Sequence, residues 1–562
     1  MLKAREPSER AGENAIAGMV SPARTTREGW AEMKRDLRGL AAAGALLMAL
    51  AAAGAAFAQK QGGILRMYSP DSPASMSIHE EATVFAEGPM MGVFNNLVMY
   101  DQHLPQNSLQ SIVPDLAIGW SWNEDGTELT LPLHDGVTWH DGKPFTARDV
   151  QCTWDMLTGK TSEKLRVNPR KSWYSNLDSV TTNGDHEVTF HLKRPQPAFV
   201  ALLASGFSPV YPCHVPPRDM RSHPIGTGPF KFIEFKPNEY IKLTRNLDYW
   251  KRGRPYLDGI EYTIIRNLST AVLGFVAGKF DMTFSYSLTV PLTNDAKSQL
   301  PKAICELTPG SINRNLLINR DKPPFDNPEL RRAMALSIDR QAFIDIITAG
   351  QGDIGGVMQP APAGLWGMPL EMLKSLPGYD PDVQKNRTES RQIMKTLGYS
   401  PDHHLKIKVT VRDIPYYRDP GVILIDQLQQ VYIDGELEPV DTTNFFPKMM
   451  RKDYSVGLNL QGAGDPDQTL PQLYGCSSEF NRNNYCNPEV EELIGRQSSE
   501  VDQEKRKQLV WQIERKLAED NARPIIFYSR DGTCRQPYVK GLTLMVNSIF
   551  NGWRMEDVWL DK

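Results

Sequence analysis

The side chains that could carry catalysis are scattered along the chain and form no familiar catalytic motif. Residues 350–355 read GQGDIG and fit GxGxxG, but prolines follow at once, whereas a dinucleotide site needs a preceding strand and a following helix. His403 and His404 lie in a polar turn, where solvated histidines are commoner than metal ligands. Neither a GxSxG elbow nor an HExxH metal motif occurs. The residues therefore favour binding over catalysis, and we predict no cofactor, no metal site and no enzyme activity.

The elements around residues 125–150 are the most clearly encoded in the chain. Asp-Gly pairs at residues 125, 135 and 141 mark tight turns, and alternating leucines at 129, 131 and 133 predict a half-buried strand. Thr146, followed three residues later by Asp149, fits a capping box that opens a helix.

Helices are predicted in the second half of the chain from caps and apolar spacing. Asn327-Pro328 predicts the start of a long helix that Gly350 closes, and Asn487-Pro488 repeats the same start. An amphipathic helix is predicted between residues 502 and 521, with apolar residues at 509, 513 and 517 facing the core.

The N-terminus resembles a secretory leader. Lys34, Arg35 and Arg38 precede an apolar run over residues 39–57, and Ala-Phe-Ala at 56–58 offers a cleavage site before Gln59. The alternative is a retained membrane anchor, since about 20 apolar residues can span a bilayer. We expect residues 1–58 to be an N-terminal extension plus signal peptide, with Met33 as the true start. No cysteine lies near the end of the run, so the leader is not that of a lipoprotein.

Composition places the mature chain among globular proteins of two or three lobes. The 562 residues carry a formal net charge of −4, which argues against nucleic-acid or anionic-membrane partners. Six cysteines in an oxidising compartment suggest disulfides. The best pair is Cys476 with Cys486, which closes a short polar loop and lacks zinc-site spacing. Sequence alone cannot pair the cysteines at 152, 213, 305 and 534.

Four runs carry a resemblance to a known family. They are LHDGVTWHDGKPFTARDV at 133–150, IGTGPF at 225–230, NLDYWKRGRPYLDG at 246–259 and PPFDNPELRRAMALSIDR at 323–340. Together they resemble the family 5 extracellular solute-binding proteins, the dipeptide-, oligopeptide- and nickel-binding receptors of bacterial ABC importers. His134 is one departure, because that family usually has Lys or Arg there. Some members have a similar cysteine pair near residues 476 and 486, which supports the disulfide.

The resemblance implies an α/β fold of the periplasmic-binding-protein type II, with three lobes of the cluster C kind, a hinge and a ligand cleft between lobes. Domain I would combine residues 62–94, 223–312 and 526–562, domain II would be 95–222, and domain III would be 313–525. The chain would be a periplasmic monomer that binds a small molecule or peptide between domains I and III. It would deliver this ligand to a membrane permease driven by separate ATPase subunits.

Ligand contacts are predicted around residues 460–476. In peptide-binding members a carboxylate about three residues before a DPD-like triplet pairs with the peptide ammonium group. Here the triplet begins at Asp465, and the corresponding position is Gly462, next to Gln461. Asp465 could replace the missing carboxylate, the ligand could lack an ammonium group, or the two aspartates could only shape a turn.

Four further side chains are candidates for the cleft. Trp366 could form an apolar wall or belong to the core, and Arg412 could pair with a ligand carboxylate or lie on the surface. Glu81 and Glu87 could face the cleft from domain I. The ligand alternatives are a peptide, another organic solute such as an opine, sugar or aromatic acid, and a metal chelate. A periplasmic hydrolase is the distant alternative to a receptor.

Overall fold

The computed structural model describes residues 59–462 and 464–562, so the predicted leader and the start at Met33 lie outside the described residues. The strands are β1 (Ile64–Ser69), β2 (Val98–Tyr100), β3 (Ile112–Pro114), β4 (Ser121–Trp122), β5 (Glu128–Pro132), β6 (Leu177–Thr182), β7 (Glu187–Leu192), β8 (Phe230–Lys236), β9 (Tyr240–Arg245), β10 (Gly259–Ile264), β11 (Ile304–Ile318), β12 (Gly352–Asp353), β13 (Leu405–Arg412), β14 (Ile433–Val440), β15 (Val456–Gly462), β16 (Ile525–Arg535), β17 (Val539–Lys540) and β18 (Trp559–Leu560). The α-helices are α1 (Val84–Met91), α2 (Ala147–Thr158), α3 (Phe199–Ala204), α4 (Leu268–Val276), α5 (Val290–Gln299), α6 (Pro328–Leu336), α7 (Arg340–Thr348), α8 (Leu370–Leu373), α9 (Val383–Thr396), α10 (Pro415–Gln429), α11 (Thr442–Met450), α12 (Pro466–Tyr474), α13 (Pro488–Ser499) and α14 (Gln503–Glu519).

One four-stranded sheet has the order β1-β10-β9-β8. β1 runs parallel to β10, and the other pairs are antiparallel. This sheet therefore joins residues of the predicted domain I that are almost 200 positions apart. Its inner face is buried and includes the side chains of Leu65, Met67, Ile260 and Tyr262.

A second four-stranded sheet, β4-β5-β7-β6, contains the half-buried strand that the sequence predicts. Leu129 and Leu131 are buried while their neighbours on β5 are not, as the alternation predicts. The helix that follows, α2, begins with the predicted capping box, in which the Asp149 carboxylate accepts the amide of Thr146 at 2.9 Å. Trp154 on α2 packs edge-on against Phe190 of β7. Local sequence therefore determines this part of the fold.

The third sheet has the order β12-β16-β11-β15-β13-β14 and mixes parallel and antiparallel pairs. Its two longest strands, β11 and β16, pair with each other, but their register is interrupted between Pro309 and Asn313. The predicted boundaries between domains I and III lie inside β11 and at the start of β16. That division into domains stays a prediction.

The long helix predicted to start at Pro328 and end at Gly350 is wrong in one respect, because the structure divides it into α6 and α7. The Asp339 carboxylate accepts the amide of Ala342 at 3.0 Å and so begins a second helix. Asn327 caps α6 as predicted. A helix-starting residue within an otherwise helical pattern explains the break.

The helices α13 and α14 follow the prediction. Asn487 caps α13 by accepting the amide of Glu489 at 3.0 Å. The apolar side chains of α14, Leu509, Ile513 and Leu517, are buried in a core that includes α12 and α13. They stabilise the fold and present no groove.

All cysteines form disulfides. The predicted pair Cys476–Cys486 is confirmed, with a Cα–Cα distance of 4.7 Å. The pairs that the sequence left open are Cys152–Cys213 and Cys305–Cys534, and the latter joins β11 to β16.

A buried ion cluster connects distant parts of the chain. Asp115 lies 2.7 Å from Arg554 and 2.8 Å from Lys251, and the side chains of Asp115 and Arg554 are completely buried. Burial acts to raise the pKa of Asp115, but the two cations outweigh this effect and lower it to about 2. The cluster therefore stabilises the fold only while Asp115 is ionised.

Candidate functional site

The main cavity lies where the three predicted lobes meet. It encloses about 1320 Å³, part of which is open to solvent. Its walls come from residues 70–85, 170–207, 284–314, 412–482 and 531–551. A space bounded by such distant segments changes shape when the lobes move relative to one another.

Direct contacts connect the walls around the cavity. The indole N–H of Trp173 donates to the carbonyl of Gln468 at 2.8 Å, and the Tyr416 hydroxyl donates to the carbonyl of Ser287. Arg412 forms an ion pair with Asp71, which follows the lining residue Pro70 of another wall segment. These contacts describe a closed arrangement of the walls.

Aromatic rings supply much of the apolar surface of the cavity. Phe85, Phe207, Phe446, Phe480 and Phe550 all contribute to it. Phe207 and Phe550 contact each other, with ring centroids 5.2 Å apart. Such rings bury apolar parts of a ligand and tolerate several shapes.

Gln461 and Gly462 both line the cavity, at the end of β15. The Gln461 side chain donates to the carbonyl of Gly462 at 3.2 Å. A Cβ atom on Gly462 would lie 2.2 Å from Cε2 of Phe550, so the aromatic ring fills the space of a side chain. The position where the sequence lacks a carboxylate is thus occupied by an apolar ring.

Asp465 is placed beside the main cavity and is already paired within the protein. Arg506 donates to its two oxygens at 3.0 Å and 2.5 Å, and both side chains are buried. Asp465 also caps α12 by accepting the amide of Asp467. Burial raises the pKa of Asp465, and Arg506 partly offsets this. The ammonium-binding role predicted for Asp465 stays untested, and this geometry favours a structural role.

Trp366 lies near Asp465 rather than in the main cavity. It lines a smaller adjoining space of about 650 Å³, and the guanidinium of Arg506 lies 4.5 Å from its ring centroid. Gly464 and Gln468 line both spaces. Trp366 is therefore separated from most of the predicted contacts.

Arg412 does line the main cavity and is buried, not on the surface. Its Nη2 is bonded to Asp71, and its Nε donates to the hydroxyl of Thr442 at 2.7 Å. The guanidinium also lies 5.3 Å from the ring of Phe446. It can contribute positive charge to a ligand, although much of its hydrogen-bonding capacity is used.

Glu81 and Glu87 are buried next to the cavity wall without lining it. Glu81 accepts a hydrogen bond from Ser75 at 2.7 Å. Glu87 is fully buried, and burial raises its pKa well above the ordinary value. A Cβ on Gly206 would lie 2.2 Å from one Glu87 oxygen, so this carboxyl sits behind the 205–207 segment.

Three arginines of the cavity were missed from the sequence, namely Arg170, Arg314 and Arg482. Arg314 lies in the strand segment INRNLLI at 312–318, and a charge beside an apolar run in a predicted strand is a signal that could have been noticed. Arg482 lies inside the loop that the predicted disulfide closes. For Arg170 the sequence offers no such signal.

The comparisons with known proteins agree with this architecture. Residues 111–481 match the model of the bacterial extracellular solute-binding proteins, family 5 Middle. The di/tripeptide-binding protein 1 of Pseudomonas aeruginosa is 25% identical over 457 residues, which cover 76% of this chain and 81% of the relative.

Solved structures show the same fold. The oligopeptide-binding protein AppA from Bacillus subtilis, in complex with a nonapeptide, superposes with a TM-score of 0.78 at 22% identity, covering 90% of this chain and 100% of AppA. AgaA from A. tumefaciens R10, in complex with agropinic acid, gives a TM-score of 0.76 at 19% identity, covering 89% of this chain and 99% of AgaA.

The chain belongs to the family 5 extracellular solute-binding proteins. It has the α/β fold of the periplasmic peptide-binding proteins and acts as a transport receptor, not as an enzyme. Among the described residues, no helix is long and apolar enough to cross a bilayer. The same residues contain no cluster of three or more His, Cys, Asp or Glu side chains that could hold a metal ion.

Proposed function

We propose that the chain captures a peptide or peptide-like small solute in the main cavity and delivers it to the permease of an ABC importer. The observation that carries the proposal is the cavity itself, which is lined from all three predicted lobes. Its walls leave about 1320 Å³ of empty space, open solvent included, and carry both aromatic rings and charged groups that can contact a short peptide.

Capture would work by closure of domain III onto domain I. Domain I would comprise residues 62–94, 223–312 and 526–562, domain II residues 95–222, and domain III residues 313–525. The interrupted pairing of β11 with β16 supports a hinge there, since few ladder bonds resist bending at that point. A ligand that contacts both sides favours the closed state by its differential affinity, and the permease would recognise closure.

The partners and location follow from this role. Separate ATPase subunits would supply energy, so the receptor needs no nucleotide site. We propose a monomer that reaches the periplasm through a leader cleaved before Gln59 and that carries no lipid anchor.

Two classes of cargo remain candidates. The names of the relatives include di/tripeptides, which favours a peptide. The ring of Phe550 against Gly462 favours a non-peptide organic solute, because the position of an ammonium-binding carboxylate is filled. The agropinic acid bound to AgaA illustrates such a solute within the same fold. A metal chelate is disfavoured because no cluster of metal ligands occurs among the described residues.

Thermal unfolding against a solute library tests the proposal. Di- to pentapeptides, sugars, opines, aromatic acids and metal chelates would be added singly to the purified mature chain. A cognate cargo at a hundredfold excess over Kd stabilises the native state by about 2.7 kcal/mol. We expect at least one class to raise the melting temperature without being chemically altered. No effect from any class, or turnover of the bound compound, would contradict the receptor function.

A further inference from the structure

The walls of the cavity carry more positive than negative charge. Arg170, Arg314, Arg412 and Arg482 line it, whereas Asp531 is the single carboxylate among the described lining residues. Asp71, which pairs with Arg412 from behind the wall, provides a second negative charge. Four guanidinium groups thus line the cavity with one carboxylate, while Asp71, Glu81 and Glu87 lie behind the wall near Arg412 and Arg170.

All four guanidinium groups have protein partners. Besides Arg412, Arg170 donates to the carbonyls of Glu81 and Ile78, and Arg314 donates to the Ser529 hydroxyl at 2.5 Å. Ser529 in turn donates to Asp531 at 2.6 Å, which keeps that carboxylate engaged on the Arg314 side. These three arginines contribute charge while keeping fixed positions.

Arg482 makes its hydrogen bond to a neutral side chain, and no carboxylate of the described residues forms an ion pair with it. Its guanidinium packs on the ring of Phe480, 4.2 Å from the centroid, and donates one hydrogen bond to the side-chain oxygen of Asn459 at 3.1 Å. The buried Nε atom has no hydrogen-bond partner among the described residues. Desolvation and the nearby charge of Arg523 lower the pKa of Arg482 to about 10.

A buried guanidinium without a counter-ion is costly, and its remaining N–H groups can hold a carboxylate in a bidentate pair. Arg482 stays protonated at neutral pH, because even the lowered pKa is far above 7. The adjacent Arg523 also has three buried nitrogen atoms with no partner among the described residues, so it adds to the local need for an anion.

The cavity offers little to a ligand cation. Phe550 fills the side-chain space at Gly462, and Asp465 is bound by Arg506 outside the main cavity. Glu87 lies behind Gly206 and does not line the cavity. Recognition of an ammonium group would therefore have to rely on a carboxylate that is already engaged.

Resting on the proposed receptor function, we propose that the cargo is a small organic acid with two anionic groups and no required ammonium group. One carboxylate is held by Arg482, and the second anionic group is attracted by the remaining positive charge of the cavity. The aromatic walls bury the carbon skeleton. An acidic peptide meets this description through its carboxylates, whether or not its N-terminus is blocked.

Three dipeptide derivatives separate the charges. They are Ala-Glu, with two carboxylates and an ammonium group, N-acetyl-Ala-Glu, with two carboxylates only, and Ala-Gln-amide, with an ammonium group only. We expect the first two to raise the melting temperature of the mature chain by similar amounts and the third to have no effect. Calorimetric titration then gives the affinity of each.

Arg482→Met and Arg482→Lys test the anchor, with Arg496→Met, an exposed arginine on α13, as the matched control. Losing a bidentate charge-assisted pair weakens binding of N-acetyl-Ala-Glu roughly 10- to 100-fold. Arg482→Lys loses less affinity for N-acetyl-Ala-Glu, and Arg496→Met binds this probe like the wild type. The ligand-free Arg482→Met protein keeps or raises its melting temperature, because an uncompensated buried cation is removed. If Arg482 had a purely structural role, Arg482→Met would instead lower the melting temperature.

The outcomes distinguish this proposal from the receptor function. If Ala-Gln-amide binds and N-acetyl-Ala-Glu does not, or if Arg482→Met binds the acids unchanged, the acid proposal is wrong while the receptor function stands. If only neutral or cationic solutes of the library bind, the acid proposal is likewise wrong while the receptor function stands. If no solute of any class binds, the receptor function itself fails.

Discussion

The buried pair of Asp465 and Arg506 gives a prediction with a calculable size. Two hydrogen bonds of 3.0 Å and 2.5 Å join the groups, and their side chains are only 6% and 4% exposed. Removing one member of such a pair leaves an uncompensated buried charge, which costs about 3–5 kcal/mol. Asp465→Ala also removes the cap of α12, worth about 1 kcal/mol. We expect each single variant to lose about that much stability.

The double variant Asp465→Ala/Arg506→Met should cost less than the two single variants together, because the pair is removed as a unit, although Asp467, 3.4 Å from Arg506, then loses that cation. Urea unfolding followed by circular dichroism measures the three differences. Asp502→Ala is the matched control, since Asp502 caps α14 at an exposed position and has no buried cation partner. The loss of stability in Asp502→Ala should be about 1 kcal/mol.

Cargo binding decides between the structural role and the ammonium role of Asp465. On the structural account, Asp465→Ala lowers stability but leaves the affinity for a cargo with a free amine within about twofold. Additive losses in the double variant would refute the energetic reasoning. A large loss of affinity for amine-bearing cargo alone, with N-blocked cargo unaffected, would show that Asp465 binds the ligand.

Further predictions concern pH, packing and the disulfide. The folded-state pKa of Asp115 is about 2 and lies below the unfolded value of 3.8. Its contribution to the free energy of unfolding, about 2 kcal/mol, is therefore present above pH 4 and is lost as the pH falls towards 2. Asp115→Asn should remove this part of the acid sensitivity in unfolding experiments. Gly462→Asp should destabilise the chain by roughly 1–3 kcal/mol through overlap with Phe550, and adding Phe550→Ala should relieve the overlap. Replacing Cys476 and Cys486 by serine should cost about 3 kcal/mol, since the loop spans 10 residues.

Each of these expectations can fail in a definite way. An unchanged acid slope in Asp115→Asn would assign the sensitivity to other carboxylates. Equal losses in Gly462→Asp with and without Phe550→Ala would show that the ring is not the obstacle. A serine pair as stable as the wild type under oxidising conditions would show that the disulfide does not restrain the unfolded chain.

Local features of the fold could be predicted from the sequence. The strand of β5, the Thr146 capping box and the Asn487 cap depend on residues within a few positions of one another, so their spacing suffices. The split of the helix after Asn327 is not predicted, because the apolar spacing up to residue 338 indicates one helix, whereas Asp339 caps a second. Local sequence patterns do not determine which of two possible capping residues begins a helix.

The site was predictable only in part, because its contacts join distant residues. Gln461, Gly462 and Arg412 do line the cavity. The pairing of Asp465 with Arg506, 41 residues away, has no sequence signature, and neither does the convergence of Arg314 and Arg482 on one space. Arg314 lies on β11, Arg506 on α14 and Arg482 in a loop, so the packing of separate elements brings these side chains together, and the sequence does not specify that packing residue by residue.

The account is tested most directly by calorimetric titration of N-acetyl-Ala-Glu into the wild type and into Arg482→Met. We predict one site per chain in the wild type and a loss of roughly 10- to 100-fold in the variant, with both proteins folded. Equal affinity in the two proteins, or binding of Ala-Gln-amide in preference to the acid, would contradict the account.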